Sequence, residues 1–214
     1  MKNILGIFPV NSTHGGRYNM NFAAHELLET SEALRTKAAE IEQHGVFVNQ
    51  CNDQTLKNIL TKHQHQMMNL YQQGINMMTG KGVEVTHQAP NFNAHQITMG
   101  IQNQTTMSAP SANTQSLSDQ TIATLALCTH KSGSMMGMQW ANECVDPQLR
   151  MYHVNCANMC QEMSYEIWTW MNHNGYYQPP TFSQTQVSQM TGMFQPVTNM
   201  QPTMMNNYGI NNIQ

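Results

Sequence analysis

Charged side chains are scarce in this sequence: 9 Lys and Arg and 12 Asp and Glu make up 10% of its 214 residues, where an ordinary soluble domain carries about 25%. So few cations, with a net charge of -3 and a pI near 6.3, exclude the basic face that nucleic acid or anionic lipid requires. No run approaches the roughly 18 consecutive apolar residues of a membrane helix. The opening segment, Met1 to Val10, has one basic residue and a short apolar run but no small-residue cleavage site, so a signal peptide is not expected and synthesis inside the cell is. Gly-x-Ser-x-Gly, phosphate-loop and CxxC signatures are also missing, which removes the commonest motif-borne enzyme chemistries. A protein that is not an enzyme is the expectation.

Polarity is supplied instead by Asn, Gln, Ser and Thr, accompanied by 20 Met and 10 His. Methionine offers soft apolar surface that repacks against irregular neighbours. From Val85 to Ser118, and again from Ile167 to Gln214, there is no Asp, Glu, Lys or Arg. Disordered linkers are ordinarily charged and poor in hydrophobes, whereas these tracts hold many apolar residues and read as adhesive. Ile97 to Ile101 and Phe182 to Val187 can alternate their faces as strands do, so the expectation is arms that pair with neighbouring molecules by strand addition. A mobile low-complexity tail is the alternative. The candidate assembly residues are Phe182, Val187, Phe194 and Tyr208, with Tyr176 and Tyr177 where the tail leaves the body.

The remaining sequence has helical spacing. Ala24, Leu27, Leu34, Ala38, Ile41 and Val48 form one apolar stripe, and Leu56, Leu60, His63, Met67, Leu70 and Met77 form a second. Asn52-Asp53 separates them as a turn and N-cap. A second pair of stripes runs from Ile122 to Trp140 and from Leu149 to Trp170, parted by Asp146-Pro147, with Gly175 as terminator. Ala33, Leu34, Thr36, Cys51, Asp53 and Leu56 recur as Ala126, Leu127, Thr129, Cys144, Asp146 and Leu149, each 93 residues later (126 minus 33). The predicted fold is all-α: a ferritin-like four-helix bundle of two helical hairpins with a long crossover, plus extended N- and C-terminal arms. Its divisions are an arm over 1–20, hairpins over 21–79 and 117–175, a crossover over 80–116, and a terminal arm over 176–214.

Three landmarks stand in order in the second half: Leu117-Ser118-Asp119-Gln120, Asp146-Pro147-Gln148-Leu149-Arg150, and Trp170-Met171-Asn172-His173-Asn174-Gly175-Tyr176-Tyr177. Together they resemble the Coat F family of spore coat proteins. The resemblance implies a ferritin-like bundle, synthesis in the mother-cell cytoplasm, deposition on the spore coat or surface, and assembly with itself or with other coat proteins. Where relatives often carry Ser-Glu-Lys and His-Glu-Gln, this chain has Thr129-His130-Lys131 and Ser164-Tyr165-Glu166.

A ferritin-type di-metal centre needs inward-facing Glu and Glu-x-x-His pairs, and the helices do not supply them. No cofactor is therefore expected. The alternative is a metal-binding or redox protein with a degenerate site, for which His63, His130 and Cys156 are the candidate ligands. Five cysteines cannot all pair within one chain. Cys51 and Cys144, at matching turns, are the expected accessible thiols for cross-linking between molecules.

Overall fold

A computed structural model describes residues 22–81, 83–90 and 96–197. Among them are five helices and no strand: α1 (Ala24–Gln50), α2 (Gln54–Met78), α3 (Asp119–Glu143), α4 (Pro147–His173) and α5 (Gln184–Thr191). The expected arm over 1–20 and the assembly candidate Tyr208 lie outside the described residues.

The helix starts follow capping chemistry. Asp53 and Asp146 each accept a hydrogen bond from the backbone N–H three residues on, Leu56 and Leu149, and Pro147 occupies the first turn of α4. Carboxylates then bind turns in the opposite hairpin. Asp119 accepts the N–H groups of Asn52 and Asp53, while Glu26 accepts those of Val145 and Asp146. Glu26 and Asp119 are 93 apart (119 minus 26), as are the turns they hold (145 minus 52). The repeat is therefore structural: each hairpin clamps the other's turn.

These contacts fix the directions. The start of α3 meets the end of α1, and His25 near the start of α1 donates to the Glu143 carbonyl at the end of α3. Trp170, near the end of α4, donates to Asp53 at the start of α2. The helices thus run up, down, down, up, and the chain must return the full height of the bundle between α2 and α3, roughly 37 Å at 1.5 Å per residue.

That return runs along α4, held by carboxamides. Gln148 accepts from the Val85 N–H; Asn155 accepts from Gln88 and donates to the Thr86 carbonyl; Asn172 accepts from and donates to Thr98. Asparagine, with one acceptor and two donors in a plane, satisfies an extended backbone as a neighbouring strand would. Gly175, at a φ of +72°, ends α4, and a Cβ there would lie 2.2 Å from the Asn103 carbonyl oxygen. No other residue fits.

Two apolar clusters fill the bundle. One gathers Phe47, Leu56, Leu60, Ile122, Leu127, Ile167 and Trp170; the other gathers Leu70, Met77, Val85, Leu149 and Tyr152. Along α2, α3 and α4 a polar layer of His63, His130 and Glu166 separates them.

Residues 99–101 and 179–197 belong to a second compact unit. Within it the Gly100 N–H donates to the Pro179 carbonyl, and α5 starts at Ser183, whose side chain accepts from Gln186 while Gln186 accepts in return from Ser183. The expectation of a strand over Phe182 to Val187 is corrected here. The reciprocal capping box starts a helix at this point, overriding the alternation.

Candidate functional site

The polar layer draws on all four long helices, with its three imidazoles coming from α1, α2 and α3. His44 of α1 is three residues before core Phe47, His63 of α2 lies between Leu60 and Met67, and His130 of α3 follows Leu127, so helical periodicity turns all three imidazoles inward. They are 0–1% exposed. One ring nitrogen from each lies within 4.8 Å of the others.

Their hydrogen bonds set the tautomers. His44 donates through Nδ1 to the Glu40 carbonyl at 2.9 Å, leaving its Nε2 as a lone pair. His63 donates through Nε2 to the Glu166 carboxylate at 2.8 Å, and its buried Nδ1 has no partner. His130 places Nε2 3.2 Å from Nε2 of His44, to which it must donate, and its own buried Nδ1 is likewise without a partner. Burial lowers the basicity of all three: His44 falls to about 4, and His63 and His130 are lowered despite the neighbouring Glu166 carboxylate in the case of His63. The imidazoles are neutral at pH 7. Burial acts to raise the Glu166 carboxyl, but hydrogen bonds from His63 and Lys62 outweigh it and keep Glu166 ionised well below the usual carboxylate range.

Of the three candidate ligands, then, His63 and His130 come together and Cys156 does not. Cys156 lines a separate cavity of about 100 Å³ with Lys37, Glu40, Tyr152 and Cys160. Burial pushes both of its thiols up, that of Cys160 to about 12, so they are protonated and unreactive. His44 and Glu166 complete the cluster, and the sequence reading did not name them as candidates. The spacing of His44 to Phe47 and Lys37 on one stripe was the available signal.

The expectation that Cys51 and Cys144 are accessible thiols is corrected. Both occupy the residue just after a helix end, where the thiol turns inward: each is buried, and burial raises their pKa to about 11 and about 12. Cys128 on α3 is the exposed thiol among the five, all of which are unpaired.

The assembly candidates divide. Phe182 (64% exposed), Val187 (39%) and Phe194 (75%) present their side chains to solvent, alongside Met190 and Met193. Tyr176 instead packs on Trp170 and the core, and half-exposed Tyr177 meets the edge of Trp168 while the Lys131 ammonium lies over its ring. No helix among the described residues is long and apolar enough to cross a membrane.

Comparison with known proteins agrees with the ordered landmarks. Residues 118–180 match the Coat F domain. The spore coat protein F-like protein YhcQ of Bacillus subtilis strain 168 is 28% identical over 185 residues, covering 83% of this chain and 82% of its own. A crystal structure of a provisionally named spore coat protein from Bacillus halodurans C-125 shares the fold, with a TM-score of 0.58 at 14% identity, over 79% of this chain and 99% of that one.

Proposed function

We propose, from the match of residues 118–180 to the Coat F domain, that the chain is a structural spore coat protein of the Coat F kind, assembling with itself or with other coat proteins into a layer or filament. The observation that carries this reading is the tract after Ile167, which has no Asp, Glu, Lys or Arg yet exposes Phe182, Val187, Met190, Met193, Phe194 and Val197. Nothing there repels a second copy electrostatically, and apolar area that water would otherwise cover gains on the order of 25 cal/mol per Å² when buried. Because Ser183 starts a helix, the docking mode we favour for α5 is an apolar helix face entering a groove, in place of strand addition. On this reading the chain is made in the mother-cell cytoplasm, deposited on the spore coat or surface, and has no catalytic turnover.

Deleting Thr181 to Gln214 tests the proposal. Far-UV circular dichroism should keep the helical signal of α1 to α4 while sedimentation shows assembly lost. A truncated chain that polymerises as before refutes the arm model.

A second reading, a metal-handling or redox protein, is favoured by the His44, His63 and His130 layer. Metal-dependent turnover by purified protein is its requirement, and stoichiometric metal without turnover would leave the structural role in place.

A further inference from the structure

We propose that His44, His63 and His130 form a mononuclear transition-metal site, in which one zinc-class divalent ion joins α1, α2 and α3 inside the bundle and Glu166 of α4 acts as the outer partner of His63. The site is separate from the assembly surface, and the inference stands whether or not the arms polymerise.

The residues meet the requirements of such a site independently. Each ligand comes from a different helix, and their ring nitrogens already lie within 4.8 Å of one another without an ion. The 3.2 Å between Nε2 of His44 and Nε2 of His130 is close to the edge of a tetrahedron with metal–nitrogen bonds of about 2.0–2.1 Å, an edge of roughly 3.3 Å. A hydrogen bond or a shared metal ion can each account for that spacing.

Two of the three outer contacts are those metal-binding histidines use, while Nδ1 of His130, which ligates through Nε2, has no partner. A metal-binding histidine almost always donates its second ring N–H to a backbone carbonyl or a carboxylate, which fixes the tautomer and aims the lone pair at the metal. His44 does the first, to the Glu40 carbonyl, and His63 the second, to Glu166. Their inward atoms are therefore Nε2 of His44 and Nδ1 of His63. The latter is fully buried without a hydrogen-bond partner, and a buried polar atom left unmatched in a packed bundle calls for an explanation. A metal ion explains it.

The chemistry of the set narrows the ion. Three neutral imidazoles without thiolate or inner carboxylate suit zinc, copper, nickel or iron, not calcium or magnesium, which take oxygen ligands. Glu166 supplies a nearby negative charge, opposed by Lys62, which also bonds it, and by Lys37, whose charge reaches His130. With three side chains almost wholly buried, the site is closed, and its role is that of a strut between helices. A fourth place on the ion remains for water.

The test uses the full chain without a histidine tag, stripped with chelator and then titrated with cobalt(II), followed by visible absorption, and with zinc(II), followed by calorimetry and thermal melting. One equivalent should bind, with the d–d absorption of four-coordinate cobalt and a melting temperature raised by zinc. His63→Gln and His130→Asn should abolish uptake, whereas His65→Gln, on the exposed side of α2, should not. Glu166→Gln, which leaves the three ligands intact, should keep helicity and weaken binding about 10–100-fold. A folded wild-type chain that takes up no stoichiometric cobalt or zinc overturns the proposal. So does equal loss in the His63 and His65 variants, or tight binding unaffected by Glu166→Gln.

Discussion

His153 on α4 illustrates what a single buried residue does to this protein. It is 1% exposed, hydrogen-bonded through Nε2 to Thr30, and lowered to about 4 by burial, with the positive charge of Lys37 adding to the effect. An unfolded histidine titrates near 6.5, so between pH 6.5 and 4 the unfolded chain binds a proton that the folded chain refuses. Stability from this group is therefore complete above pH 6.5 and is lost as pH falls through the window, by up to about 3 kcal/mol. Thermal melts from pH 7 to pH 4 should show a falling midpoint, with a shallower fall for His153→Gln. Identical slopes would remove His153 from the acid sensitivity. Residue identities were legible in the sequence where chemistry is local: Asp146 as cap, Pro147 as first-turn residue and Gly175 as terminator. Cys51 and Cys144 were misread because a turn position does not reveal which way a side chain points.

The helices are held together less by their own propensity than by side chains reaching across elements. The described residues of the crossover form no helix or strand of their own, and the backbone groups at Thr86, Gln88 and Thr98 are satisfied by Asn155 and Asn172. The aromatic-Met-Asn ending that suggested the family thereby acquires a physical reason: Trp170 binds Asp53, Asn172 binds the crossover, and Gly175 leaves room for Asn103. Removing one such carboxamide takes hydrogen bonds from part-buried backbone groups, at about 1 kcal/mol each. Asn172→Ala should therefore lower the melting temperature and speed hydrogen exchange around Thr98, with the amides of α2 little changed. Exchange accelerated uniformly across all four helices would contradict a local fastening. Helix periodicity made α1 to α4 readable. It could not reveal α5, eight residues whose start depends on the Ser183–Gln186 box within a stretch that also alternates.

For the whole molecule, two hairpins offset by 93 residues close on one another through Glu26 and Asp119. The identities that repeat include the turn and cap pairs Cys51/Cys144 and Asp53/Asp146 and the core pairs Leu34/Leu127 and Leu56/Leu149, while the polar interior diverges: His63 corresponds to Cys156 and His130 to Lys37 (156 minus 63 and 130 minus 37). That divergence is why His63 and His130 could be named from the sequence while the rest of the histidine cluster could not. His44 and Glu166 join the layer only once all four long helices are packed. The outside follows a different rule, with few charges to keep copies apart and a terminal tract of exposed apolar side chains. Assembly is the central claim, and a sedimentation-velocity series on the purified full chain, from low micromolar upward at neutral pH, tests it most directly. Self-association through the tail should give large species that grow with concentration and appear as a regular layer or filament by electron microscopy. A single 24.2 kDa species at every concentration would contradict it.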